Sequence, residues 1–258
     1  MVFCAFISLL SFFIIPLVQH ACAGKHKERI PIHMSISDRL PNGIMSSPSL
    51  LVEGGQFYYV KRPIMNKFRM GAIMEGGAVI LPGCNRDLDR FIFLAYINNK
   101  IYIRIVAKFL DRLDQVQRKV YELVREQSNP RFTQLVRDLV NLDLLAQEFD
   151  PKINVYADAA TMTRRFCIKS EFNIEAVIGV VTYGGQTILR ANSGLLNRNV
   201  ILEFGKPRHK IIILSTYNDG NCVKSGFRDT GDERGFVLDE MITRPLFLHP
   251  RDEDVTIT

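Results

Sequence analysis

The sequence predicts an α+β protein, with antiparallel strands packed against a central helical hairpin. Three patterns carry that expectation. Residues 91–106 form two apolar-rich runs, the second alternating Ile101, Ile103 and Ile105 with Tyr102, Arg104 and Val106, around Asn98-Asn99, a pair able to take the positive φ angles of a tight hairpin turn. Residues 109–144 switch to apolar spacings of three and four, the period of amphipathic helices. After Pro151 the chain returns to short β-branched runs separated by turn residues. With 258 residues, 47% hydrophobic and 23% charged, there is material for one large core or two modest ones, which excludes disordered and low-complexity classes.

The first element is an address. Residues 2–18 are almost wholly apolar, and Ala21-Cys22-Ala23 puts small residues where a signal peptidase cuts, just before charge begins at Lys25. Residues 1–23 are therefore expected to be a signal peptide, with a retained membrane anchor as the rival because the apolar run is nearly long enough to span. Residues 24–50 mix Pro, Ser, Gly and charge without a period and read as a mobile leader. Folding is expected from about Leu51, as one α+β domain over 51–258 or as two packed halves, 51–150 and 151–258.

Short strands are expected at 57–60, 68–74 and 78–81, then the hairpin at 91–106. Next come the helices. Phe109, Leu110, Leu113, Val116, Val120, Leu123 and Val124 make one stripe; Asn129-Pro130 then opens a second helix striped by Phe132, Leu135, Val136, Leu139, Val140 and Leu144. The pair should bury Leu113, Val120, Leu123, Leu135, Val136 and Leu139 against a sheet, because neither stripe can stay in water. Strands follow at 153–156, 165–168, 174–183, 186–191, 200–204, 210–216 and 241–248, with turns at Gly184-Gly185, Gly205-Lys206-Pro207 and Asn218-Asp219-Gly220. Gly-Gly pairs at 76 and 184 invite a duplication, but their flanking residues agree too little to support one.

No nucleotide-binding, nucleophile-elbow or metal-ligand spacing occurs, so no cofactor or metal is expected. Glu203, Arg208 and His209 are the weak catalytic candidates: a carboxylate, a cation and an imidazole flanking one hairpin are the groups that phosphodiester transesterification needs. The net charge of +6 is concentrated, with residues 61–110 alone contributing +6. There Tyr58, Tyr59, Lys61, Arg62, Lys67 and Arg69 interleave rings and cations, a pattern suited to an RNA backbone. Of three cysteines beyond the signal, Cys167 and Cys222 are the candidate disulfide.

Phe172-Asn173-Ile174-Glu175-Ala176-Val177-Ile178-Gly179-Val180-Val181-Thr182, following an expected helix, resembles a segment of the secreted candidate effectors of powdery-mildew-type fungi. That resemblance implies a microbial-ribonuclease-like core over about residues 131–225, usually without catalytic residues. The chain is about twice the usual length for that group and lacks its aromatic-x-Cys signature. The expected function is that of a secreted, non-catalytic interaction protein, a pathogen effector binding a protein or RNA of another cell, with no stable membrane contact after signal cleavage. The alternatives are a secreted ribonuclease or RNA-binding protein, and a membrane-anchored surface antigen.

Overall fold

The computed structural model describes residues 28–246 apart from Leu51, Gln127, Pro130, Lys206, Pro207 and Glu233. The expected signal peptide and the last residues of the tail lie outside the described residues. Among these the chain is all-β: eighteen strands in four sheets, and two three-residue 3-10 turns as its only helical elements. The α+β expectation is overturned, and with it the ribonuclease-like core, since no helix precedes residues 172–182.

In chain order the first half contains β1 (Ile30–Ser35), β2 (Ile44–Pro48), β3 (Gln56–Val60), β4 (Phe68–Glu75), β5 (Ala78–Leu81), β6 (Asp87–Ile97), β7 (Lys100–Leu110), β8 (Val116–Glu126) and β9 (Thr133–Gln134). The three-stranded sheet β1-β4-β5 faces the six-stranded antiparallel sheet β2-β3-β6-β7-β8-β9. Met34, Met70 and Ile73 from the first meet Ile92, Leu94, Ile103 and Ile105 from the second in one core. The stretch read as a mobile leader thus supplies two strands, with β1 lying parallel to β4. The hairpin at Asn98-Asn99 forms as expected, with φ of 50° and 59°.

The second half repeats this arrangement strand for strand: β10 (Asp138–Asp143), β11 (Ile153–Asp158), β12 (Thr163–Ile168), β13 (Ala176–Tyr183), β14 (Gln186–Leu189), β15 (Leu195–Glu203), β16 (Lys210–Tyr217), β17 (Asn221–Asp229) and β18 (Phe236–Pro245). Its sheets are β10-β13-β14 and β11-β12-β15-β16-β17-β18, the same order shifted by nine strands. Even the irregularities match. The parallel pair slips between Ile32 and Met34 in one half and between Val140 and Leu142 in the other, and the six-stranded sheet slips at Asp87/Asp89 and at Leu195/Asn197. The molecule is a tandem duplication of a β-sandwich, which the sequence reading had set aside.

One conserved device marks the repeat. Arg90 on β6 is 4% exposed and donates to the carbonyls of Gly71 (3.0 Å) and Pro82 (2.6 Å). Arg198 on β15 is fully buried and donates to the carbonyls of Gly179 and Arg190, each 108 positions further along. Each guanidinium bolts its six-stranded sheet to the three-stranded one opposite, giving two backbone carbonyls a partner. The glycines are dictated by proximity: a Cβ at Gly71 would sit 2.9 Å from His33, and one at Gly179 would sit 3.0 Å from Leu139 Cβ.

The misread helices have a physical cause. β8 is buried on both sides, Leu123 packing toward the sandwich core and Val120 toward the other half, so its apolar residues do not alternate. The outer face of the first six-stranded sheet carries Phe57, Phe91, Phe93, Tyr102 and Val106, roofed by Ile174, Leu196 and Leu246 of the second half. Val120 N–H donates to the Asn218 carbonyl across this junction at 2.8 Å. Gly220, at φ 76°, lets the turn come so close that a Cβ there would lie 2.4 Å from Arg118 Cβ. Of the six residues expected under the helices, Leu113, Val136 and Leu139 are exposed at 77%, 84% and 58%, Leu123 and Leu135 are half-buried, and only Val120 is buried.

Candidate functional site

The acid–base candidates do not converge. Glu203 pairs with Lys210 across the β15–β16 ladder, next to the core pair Leu202 and Ile211, so Glu203 points away from the core. One step further along, Phe204 turns back toward the core and His209 stands edge-on to its ring at 5.5 Å. Strand alternation therefore places Glu203 and His209 on opposite faces of the sheet. Arg208 is exposed, and His209 Nδ1 is buried without a hydrogen-bond partner among the described residues.

The RNA-binding candidates are split as well. Tyr58 packs into the first core, while Tyr59 faces the other side and stacks on Phe91 with ring centroids 6.1 Å apart. Arg69 is buried, donates to the Arg29 carbonyl at 3.2 Å and lies 3.9 Å from Asp87. Lys61, Arg62 and Lys67 are exposed around the first 3-10 turn. The expected array of rings and cations thus dissolves into two core rings, one structural arginine and an exposed basic turn.

The expected bridge fails on distance. Cys167 on β12 and Cys222 on β17 are separated by three strand steps, on the order of 14 Å at about 4.8 Å each, whereas a disulfide tolerates Cα atoms about 7 Å apart at most. All three described cysteines are free thiols. Intact-mass and peptide mapping of air-oxidised protein under non-reducing conditions should therefore find no peptide joining Cys167 to Cys222.

The feature that sequence reasoning missed emerges when the two sandwiches are superposed strand by strand. In the first, Tyr121 on β8 packs toward the core beside Leu123, and the Lys119 ammonium lies over its ring at 5.1 Å. The residues at the same ladder positions of β17 are Ser225, Phe227 and Val223, because Leu123 faces Gln134 just as Phe227 faces Leu238. A ring and its cation are thus replaced by a hydroxymethyl and an isopropyl group. The space opens as a groove of about 490 Å³, lined by Ile188, Leu189, Val223, Ser225, Leu238 and Met241, with Asp219 the one charged residue along it. That volume lies within the range of ligand-binding clefts. Leu238 and Met241 are 55% and 64% exposed at its mouth.

The strand bordering the groove has diverged too. Where β9 has two residues, its counterpart β18 has ten, at the edge of its sheet. Two of its charges are paired: Glu240 meets Lys224 at 2.9 Å, and Asp239 meets Arg228 at 3.6 Å. No sequence signal for the groove exists in the second half alone; it appears only by reference to the plugged copy. Among the described residues no cluster of His, Cys, Asp and Glu is arranged to hold a metal, and no helix is long and apolar enough to cross a membrane. No protein-family description, no curated protein and no solved structure matches this chain.

Proposed function

We propose that this chain is an exported, non-catalytic interaction protein that binds a macromolecule of another cell through the groove of its second sandwich. The observation that carries the reading is a divergence between two units of the same strand order: Tyr121 packs into the core of the first, and Ser225 at the matching position lines the groove of the second. Duplication followed by loss of a plug turns a structural copy into a receptive one. The separation of Glu203 from His209 supports a binding role over hydrolysis, and the apolar segment ending at Ala21-Cys22-Ala23 supports export.

The test uses the full mature chain. Incubated with RNA, it should give no cleavage above buffer, and Glu203→Ala and His209→Ala should change nothing. A photo-crosslinker placed at Met241 should give discrete adducts from an extracellular extract, and Ser225→Tyr should remove them while leaving the melting temperature unchanged. Turnover that falls by a factor of about 10² or more in His209→Ala, the contribution of a positioned acid or base, would overturn the reading in favour of a ribonuclease.

A further inference from the structure

We infer that the groove takes an extended peptide strand, carrying alternate apolar side chains and a basic residue at one end, which pairs with the free edge of β18. This deepens the interaction reading and rests on it. Three features of the second sandwich point to the same occupant. The first is backbone: among the described residues β18 ends its sheet, and from Glu240 to Pro245 it pairs in unbroken register with β17, so its outer row of N–H and C=O groups is left for another strand. The corresponding edge in the first sandwich is two residues long and offers no such row.

The second is side-chain spacing. Met241 and Thr243 alternate toward the groove while Glu240, Ile242 and Arg244 face away, so a strand added at that edge turns every second side chain to the groove side, beside Met241 and Thr243. Apolar groups there gain contact with Leu189, Leu238 and Met241, which favours them. The third is charge. Asp219 is exposed at the turn between β16 and β17, and one carboxylate oxygen accepts the Asn221 N–H at 3.0 Å. Asp219 lines the groove with no opposite charge among the other lining residues, which favours a lysine or arginine at that end of the incoming strand.

The probes are three fluorescein-labelled synthetic peptides measured by anisotropy against the full chain: Lys-Val-Thr-Ile-Ser-Val-Asn, the same peptide with Glu in place of Lys, and a shuffled version that blocks the apolar residues together. The first should bind at least tenfold more tightly than the other two. Ser225→Tyr and Met241→Asp should each weaken it at least tenfold with an unchanged melting temperature, and Asp219→Lys should reverse the preference between the Lys and Glu peptides. Equal binding of all three peptides, or binding indifferent to both groove variants, overturns the proposal. So does a tenfold gain in affinity on Val255→Asp with Ile257→Asp, which would make the chain's own tail the occupant. If the peptides fail while Met241 adducts still vanish in Ser225→Tyr, the strand chemistry falls and the interaction reading stands. Loss of both removes both.

Discussion

Arg90→Ala is expected to destabilise the first sandwich by about 3–5 kcal/mol, the cost of breaking a buried ion pair from one side. Arg90 donates to Asp87 Oδ2 at 2.7 Å, and both side chains are almost fully buried, at 4% and 6% exposure. Asp87 also holds the Cys84 N–H at 2.7 Å, while Arg69 stands 3.9 Å away, too far to replace the lost donor. Truncation would therefore leave a carboxylate in the core and orphan the Gly71 and Pro82 carbonyls at once. The second sandwich offers a control, because Leu195 stands at the position equivalent to Asp87 and Arg198 works there through Ser215 and carbonyls. Arg90→Met combined with Asp87→Leu should recover part of the loss, though not all, since Arg69 then keeps its burial without its carboxylate. Denaturant titration of the two singles and the double gives the coupling. Single variants within about 1 kcal/mol of wild type would mean that the bolt carries no stability.

The second large effect is expected at the junction between the sandwiches. Glu122 on β8 is 6% exposed, accepts the Tyr102 hydroxyl and meets Arg137, whose Nη1 and Nη2 both reach it, the latter at 3.1 Å. Arg137 lies between the two units and also donates to the Asn173 carbonyl at 2.8 Å, so one guanidinium holds the first sandwich to the second. Burial alone would raise the Glu122 carboxyl, but the Arg137 hydrogen bonds and charge, helped by Arg104 and the Tyr102 hydroxyl, more than offset it, so its pKa lies below the ordinary value. Burial, reinforced by Glu122, pushes the Tyr102 phenol up, which keeps it a donor throughout the accessible range.

The sign follows from linkage. A carboxyl with a depressed folded pKa contributes its stability above its unfolded pKa of about 4.3. That contribution is lost as pH falls through the folded value. Wild-type protein should therefore hold its stability from neutrality to about pH 5 and lose it below about pH 4. Arg137→Ala should cost about 3–5 kcal/mol at neutral pH by stranding the carboxylate. It should also raise the folded pKa, because only Arg104 and the Tyr102 hydroxyl then oppose burial; the loss of stability on acidification shrinks, and it reverses once that pKa passes about 4.3. Glu122→Gln should flatten the dependence. Melting curves between pH 3 and pH 8 separate these three outcomes, and identical profiles for wild type and Arg137→Ala would exclude the junction as the source.

Local chemistry in the sequence was enough for much of the strand map. Asn98-Asn99, Gly184-Gly185 and Asn218-Asp219-Gly220 are turn signals because few residues tolerate the positive φ found at Asn98, Asn99, Gly184, Gly185 and Gly220, and each closes a hairpin where it was expected. The runs at 68–74, 78–81, 186–191, 200–204 and 210–216 became strands for the same local reason, β-branched residues between breakers. Tertiary structure decided the rest. β8 reads as a helix because a second sandwich covers its outer face, and a strand with two apolar faces has no period of two to detect. Leu139, placed in a helical core by its spacing, is an exposed residue of β10, whose alternate neighbours Val140 and Leu142 are the buried ones.

The duplication was hidden for a related reason. What the two halves share is a set of contacts, Arg90 on Gly71 and Arg198 on Gly179, and a handful of slips in register, while the apolar residues that fill each core are interchangeable by volume. Glu203 and His209 looked like partners because they are close along the chain, but the pleat sends adjacent ladder positions to opposite faces. The groove is the extreme case. Ser225 is an unremarked residue in a strand until Tyr121 is seen to occupy the same place in the other copy. By itself the sequence determined where the chain turns and which short runs are extended; which faces are covered, which residues meet, and where a cavity is left depend on long-range packing that no local pattern encodes.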